Sequence, residues 1–552
     1  MNPGKFWPEL KRRKVVQRAV LYGIVAWIVI QAADIVIPAL NIPEWGVSLV
    51  VVLLALGFPV AMILAWMFDG PVQVVRGERR PPRSARDRRG DEEDAGPRSI
   101  AVLPFVNMSD DKENEYFSDG MTEEILNALA KVPDLRVASR TSSFAFKGKV
   151  QDVLEIADEL RVDTVVEGSV RKVQNRVRVT AQLINADDGY HLWSETYDRD
   201  LEDIFKVQDE IARSIVDALK LELVGEEKEH LVSPETEDVE AYTLYLKGRF
   251  FFNRFQEADL RRSLDLYAQA LDRDPGYGRA WAGIADTWMQ LADDWVAPEQ
   301  AYPEAKAAAE KAIELDASLA EAHTARGKVL GWFDWDFDGA ELALRRAVAS
   351  NPRYADAHWG LASILPTNGQ MEAAIEEARA TLALDPLSGI FSYWLARYLY
   401  FARRTAEAKD AATRAAELDP TSFRPLLVLG LCHLLEGHAE DALASFKQAL
   451  DVSGVVSANA FVARALAAAG REDEARELLA RIESGDEYVR HEFMAPAYAA
   501  LGDVDRALAA LETAYQERSA GLIYLHVDPS YDALRGDARY QELVRRIGLK
   551  SG

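Results

Sequence analysis

A single cysteine, Cys432, stands in 552 residues, so no disulfide can form within the chain. It lies beside Leu431 and Leu434 in an apolar helical stretch and reads as a small buried core residue rather than a reactive thiol. The eight histidines are scattered; His191, His323, His358, His433 and His491 each fall in a strand or repeat helix and read as structural. There is no Cys/His pairing at metal-ligand spacing, no Walker loop, no G-x-S-x-G, no H-E-x-x-H and no kinase set. Neither a metal nor a cofactor nor catalysis is therefore expected. Basic charge is scarce: 64 Lys and Arg face 89 Asp and Glu, a net of −25. Residues 1–98 hold 14 basic and 10 acidic side chains, which leaves 50 and 79 for the remainder. So acidic a body repels a phosphate backbone, and no nucleic-acid partner is expected.

What is present begins with two apolar runs. Val20 to Ile37 is 18 residues and Val47 to Phe68 is 22, each long enough to span a bilayer. Basic residues precede the first run (Lys11, Arg12, Arg13, Lys14) and follow the second (Arg76, Arg79, Arg80), while the loop between them has none. That asymmetry predicts a two-helix transmembrane hairpin over 1–70. Both termini and the bulk of the chain would be cytoplasmic, in a multi-pass membrane protein. The basic flanks would meet anionic lipid headgroups. Residues 71–98, with Pro81-Pro82, eight arginines and the run Asp91 to Asp94, offer almost nothing apolar and read as a disordered linker.

Residues 99–222 read as an α+β layer in the order β-α-β-α-β-β-β-α. Ser99 to Phe105 is a buried-strand run, Tyr116 to Val132 a helix, Leu135 to Ser139 a strand and Gln151 to Leu160 a helix. Thr164 to Val173, Val177 to Ile184 and Tyr190 to Thr196 come next as an antiparallel meander, closed by a helix over Leu201 to Leu221.

The third region carries a period. Ala340, Ala374, Ala408 and Ala442 stand 34 residues apart; Leu344, Ala378, Ala412 and Phe446 follow each by four, and Ala347, Thr381, Ala415 and Ala449 by seven. Pro352, Pro386 and Pro420 close three units. This is the signature of tetratricopeptide repeats, helix–turn–helix units that stack into an all-α superhelix with an extended concave surface. About eight units are read over 240–549. Asp334-Trp-Asp-Phe-Asp338-Gly339 begins like a calcium loop, but Arg345 stands where that loop needs a bidentate Glu. It reads as the inter-helix turn of the third repeat.

The motifs also carry a resemblance. Phe6-Trp7, Glu9-Leu10-Lys11-Arg12-Arg13, Gly57-Phe58-Pro59 and Ala65-Trp66 resemble an amino-terminal hairpin of bacterial membrane proteins with tetratricopeptide repeats. Ser99-Ile-Ala-Val-Leu-Pro-Phe105, Tyr116-Phe-Ser-Asp-Gly120, Ser139-Arg-Thr-Ser-Ser143, Glu167-Gly-Ser-Val-Arg171 and Leu192-Trp-Ser-Glu-Thr-Tyr-Asp198 resemble the TolB amino-terminal and FlgO-like domain. The resemblance implies a module often joined to such repeats, and often placed behind a class III adenylate cyclase or a winged-helix domain. No such domain fits in residues 1–98.

Two candidate sites emerge. Side chains on the first helix of each repeat face a partner, among them Trp359, Tyr393, Arg397, Tyr400 and Arg424, residue types that concentrate binding energy. Tyr393, Arg397 and Tyr400 stand at i, i+4 and i+7 and share one helix face, suited to an acidic segment of a protein or peptide. In the α+β domain, Ser139, Arg140 and Thr141 suit an anion, and Gly168 would let a backbone approach a ligand. The expected function is a non-catalytic inner-membrane scaffold or sensor that recruits a protein partner, with homo-oligomerisation open. The rivals are a ligand- or nucleotide-binding regulator acting through 99–222 and a periplasmic envelope-assembly factor.

Overall fold

The computed structural model describes residues 98–550 except 110, 133, 150, 222–230, 232–235, 255, 293–294, 454–457 and 486–489; before residue 98 it describes Leu54 alone. The chain divides into two units, Met1–Ala95 and Gly96–Gly552, and the described fold belongs to the second. The expected spans at 20–37 and 47–68, the lipid-facing arginines and the linker as far as residue 97 lie outside the described residues, Leu54 apart. Among the described residues no helix is long and apolar enough to cross a membrane. The expected fold class and localisation are corrected accordingly. The described structure is a mixed-sheet domain followed by an all-α array, without a transmembrane hairpin, and the multi-pass inner-membrane placement has no support.

Six strands make one sheet: β1 (Arg98–Val102), β2 (Val106–Asn107), β3 (Leu135–Val137), β4 (Thr164–Val173), β5 (Arg176–Asn185) and β6 (His191–Asp200). The order is β3-β1-β4-β5-β6, with β2 beside β4. β1 runs parallel to β3 and to β4, whereas β4, β5 and β6 form an antiparallel meander. Helical crossovers explain the parallel half: α1 (Glu115–Ala130) joins β1 to β3, and α2 (Arg140–Phe144) with α3 (Val153–Leu160) joins β3 to β4. Alternation along the strands sorts side chains to two cores. Ile100, Val102, Val166 and Val170 pack with α1 and with α4 (Ile204–Ala218), while Ala101, Leu103 and Val165 pack with Phe146, Ile156 and Leu160.

The array comes next as eight helix pairs among the described residues. They are α5 (Val239–Phe252) with α6 (Glu257–Arg273), α7 (Gly278–Leu291) with α8 (Pro298–Leu315), α9 (Ala320–Val329) with α10 (Phe337–Ser350), and α11 (Ala355–Ile364) with α12 (Met371–Leu384). Then come α13 (Gly389–Phe401) with α14 (Thr405–Leu418), α15 (Arg424–Leu435) with α16 (Ala439–Ser453), α17 (Asn459–Ala468) with α18 (Glu472–Glu483), and α19 (His491–Ala500) with α20 (Val504–Gln516). Two 3-10 turns, Ala520–Tyr524 and Pro529–Leu534, and a last helix α21 (Ala538–Ile547) complete the chain. Asn351, Asp385 and Asp419 cap α10, α12 and α14 immediately before the prolines, which cannot continue a helix.

The periodic alanines explain the stacking. Ala340, Ala374, Ala408 and Ala442 each sit in a second helix at 0% exposure. A methyl there lets paired helices approach; an indole would not fit. Ala442→Trp is expected to destabilise the array by about 1–3 kcal/mol, read as a lowered midpoint in a denaturant melt. An unchanged midpoint and cooperativity would show the repeat frame misplaced.

Candidate functional site

The first helices of successive pairs present one continuous face, and its first half holds the sheet domain. Helix α1 lies on it along its whole length. Gly120 faces Leu246 of α5 so closely that a Cβ would come within 2.7 Å of the leucine side chain. One turn later Glu123 sits between two guanidinium groups, Arg249 of α5 at 2.7 Å and Arg140 of α2 at 2.9 Å. Burial alone would push this carboxyl up, but the charges and hydrogen bonds of Arg249 and Arg140 outweigh it and hold the group down at about 2. Glu124 pairs with Arg279 of α7 at 3.0 Å. At the C-terminal end of α1, Arg353, just before α11, donates to the carbonyls of Ala130 at 3.3 Å and Val132 at 3.4 Å, and to that of Leu135. A cation there meets the negative end of the helix dipole.

The Ser139–Ser143 motif meets a carboxyl group of its own chain. Ser139 caps α2 by accepting from the Ser142 backbone N–H at 3.1 Å. The Ser142 hydroxyl donates to Asp385 Oδ1 at 2.5 Å and accepts from the Leu387 N–H at 3.1 Å. Asp385 is buried between domain and array; burial raises its carboxyl above the ordinary range, and the hydroxyls of Ser142, Ser139 and Thr141 oppose that rise. Arg140 lies over the Phe144 ring at 4.0 Å and is paired with Glu123. The expected ligand pocket is thereby corrected: Ser139, Arg140 and Thr141 are engaged within the protein. Gly168 on β4 is not part of their cluster. A Cβ there would lie 2.4 Å from the Thr180 carbonyl oxygen and 2.9 Å from the Phe105 ring, so this glycine serves strand packing.

The second half of the same face is covered by the end of the chain. Tyr524 sits 6.2 Å from the Trp394 ring and 5.1 Å from Phe401 of α13. Asp528 faces Arg397 at 3.5 Å, and the Ser530 hydroxyl meets Tyr400 Oη at 3.1 Å and Arg464 Nη1 at 2.7 Å. Arg403 reaches Asp532 at 2.5 Å. The path runs back towards the third and fourth repeats. Arg518 donates to the Phe333 carbonyl at 3.2 Å, the His526 ring meets the Pro366 carbonyl at 2.8 Å, and the Lys550 N–H donates to Thr367 O at 3.3 Å.

Of the partner-facing residues expected on α13, Arg397 and Tyr400 are engaged by the same chain, and Tyr393 is half-buried against Trp394 with ring centroids 5.2 Å apart. Arg397 faces Asp528 of the same chain, and Tyr400 is 1% exposed beside Ser530. Trp359 is half-buried in an aromatic run, 5.7 Å from Trp332 and 5.9 Å from Trp394, with Lys328 over its ring at 4.2 Å. Arg424 lies over Phe423 at 5.3 Å. Trp335, in the turn between α9 and α10, takes φ +60 and is stacked by Arg518 at 4.2 Å. Cys432 is buried, and burial pushes its thiol up to about 12. One cluster escaped the sequence reading. His433, Glu436 and His438 gather at the turn after α15, and their i, i+3, i+5 spacing around Gly437 was the available signal.

With this geometry in place, comparisons with known proteins sort the regions. A tetratricopeptide repeat family model matches residues 336–389 and 393–455. The array is built of tetratricopeptide repeats. The domain before it matches, over residues 96–214, the second domain of HilA/YgeH-like transcriptional regulators. A HilA-like domain thus stands where a TolB amino-terminal or FlgO-like domain was expected. "Putative adenylate cyclase 3" of Rhizobium meliloti is 42% identical over 240 residues, which cover 42% of this chain and 40% of that protein. The transcriptional regulator HilA of Salmonella typhimurium is 24% identical over 310 residues, 54% of each chain. The chain thus spans about half or less of the length of these relatives. Among solved structures, a tetratricopeptide repeat protein from Parabacteroides merdae aligns over 49% of this chain and 99% of its own, at 12% identity and a TM-score of 0.35. A tetratricopeptide fold suits a protein-interaction scaffold.

Proposed function

We propose that the chain is a non-catalytic scaffold in which the HilA-like domain and the tetratricopeptide repeats act as one unit to recruit a protein partner. The observation that carries this reading is the seat of α1. The repeats already grip a folded polypeptide surface there, through Glu123–Arg249 at 2.7 Å, Glu124–Arg279 at 3.0 Å and the Arg353 bonds to the helix end. The likeness to two differently named proteins supports it as well. A stretch resembling parts of one protein named as a cyclase and of another named as a transcriptional regulator is better read as a recognition element than as the source of either activity. The rival reading, a ligand or nucleotide site in 99–222, has less support, because Ser139 and Thr141 face Asp385 and Arg140 is paired with Glu123.

The test is a quantitative pull-down with the full chain and with its Arg279→Ala variant, followed by mass spectrometry. A partner recovered in stoichiometric amount by the wild type, and in smaller amount by the variant with α1 loosened, is the expected result. Equal recovery by both would separate partner binding from the domain's seat. Cyclic nucleotide made by the purified chain from ATP would overturn the non-catalytic reading outright.

A further inference from the structure

The turn between α15 and α16 carries the cluster that the scaffold reading leaves unused. Helix α15 ends at Leu435, Glu436 follows as its cap, and Gly437 takes φ +82, a backbone conformation that favours glycine. The Gly437 N–H donates to the Leu434 carbonyl at 3.1 Å and the His438 N–H to the His433 carbonyl at 2.8 Å. Together these two bonds form a Schellman motif, whose geometry brings the side chains of its first and last residues into contact. That contact is ordinarily apolar. Here both residues are histidines, their ring centroids 6.3 Å apart, with Glu436 between them in sequence. One ligand atom from each of His433, Glu436 and His438 lies within 4.8 Å of the others. The Nδ1 atom of His433 is buried and has no hydrogen-bond partner among the described residues.

We propose that His433, Glu436 and His438 bind one divalent transition-metal ion of the zinc class. Two imidazoles and a carboxylate are the donors that zinc and its borderline neighbours take, whereas magnesium and calcium take oxygen alone. Zinc bonds of about 2.0–2.2 Å place tetrahedral donors about 3.4 Å apart, which small side-chain rotations reach from the present spacing. Three protein ligands leave a fourth position for water. Lys409 contends for the same carboxylate, at 2.8 Å from Glu436 Oε2, and His438 Nδ1 stands 3.7 Å from that oxygen. The ion would displace Lys409 and fasten the inter-helix turn of the sixth repeat.

The test titrates the full, metal-stripped chain with Zn²⁺ by calorimetry and with Co²⁺ by absorption. One ion per chain at micromolar affinity or tighter is expected, with the d–d bands of a low-coordinate Co²⁺ site. His438→Gln is expected to weaken binding at least tenfold. That ring is 59% exposed, so the fold is not at stake in this variant. Lys409→Met, which removes the competing cation, is expected to bind severalfold tighter. Unchanged affinity in His438→Gln, or wild-type binding confined to millimolar metal, would overturn the site.

Discussion

Truncation of the chain after Ser519 is expected to abolish the cooperative unfolding of the array and leave little soluble protein. The missing segment includes Leu522, Leu525 and Leu534, each 0% exposed, and Ile523 at 1%. Burying one such side chain contributes about 1.5–3 kcal/mol, so these four alone come to about 6–12 kcal/mol, comparable to the whole stability of a typical domain. Their removal also uncovers Trp394, Phe401 and Tyr400 and leaves Arg397 without the carboxylate of Asp528. Soluble yield and a urea melt give the measurement. A truncated chain with the full-length midpoint would show the segment to be a dispensable appendage.

The second large effect lies at Glu123. Replacing it by Gln keeps the side-chain shape but leaves Arg249 and Arg140 facing a neutral amide. Breaking a buried pair in this way costs about 3–5 kcal/mol, here felt as loosening of α1 from the repeats. The pH dependence gives a second signature. The folded carboxyl is held at about 2, below an unfolded value of about 4.3. A group with a depressed folded value contributes fully above the unfolded value and loses its contribution as pH falls through the folded one. Wild type and Glu123→Gln should therefore differ most at neutral pH and converge between about pH 4.3 and pH 2. Equal stability at pH 7 would mean that the ion-paired seat does not hold the domain.

What the sequence made legible was local. The 34-residue period reads directly because each alanine answers to its own helix pair, within one unit of the repeat. The strands read because alternation is a two-residue rule, although the parallel placement of β1 beside β4 is not written in any neighbouring residue. The candidate sites were harder for a physical reason. In the structure Arg397 meets a carboxylate of its own chain, and so does Ser142, beside the candidates Ser139 and Thr141. Their partners, Asp528 and Asp385, stand 131 and 243 residues away in sequence, and charge complementarity alone carries no address. Nothing in a face of tyrosine and arginine says whether the acid that meets it comes from another molecule or from the same chain. The metal cluster was hidden differently, because its three ligands are unremarkable until Gly437 turns the chain back.

The return of the chain end over the third to seventh repeats also sets an order of events. Synthesis delivers Phe333, Arg397 and Trp394 long before Arg518, Tyr524 and Asp528 leave the ribosome, the contact between Arg518 and Phe333 alone spanning 185 residues. Local helix pairs can form as they emerge, since their contacts are near in sequence. Their aromatic face stays uncovered until residues 518–534 arrive. Closure of this face waits on residues 518–534, and between the making of α13 and the making of that segment the nascent chain shows the cell an apolar surface that the folded protein conceals.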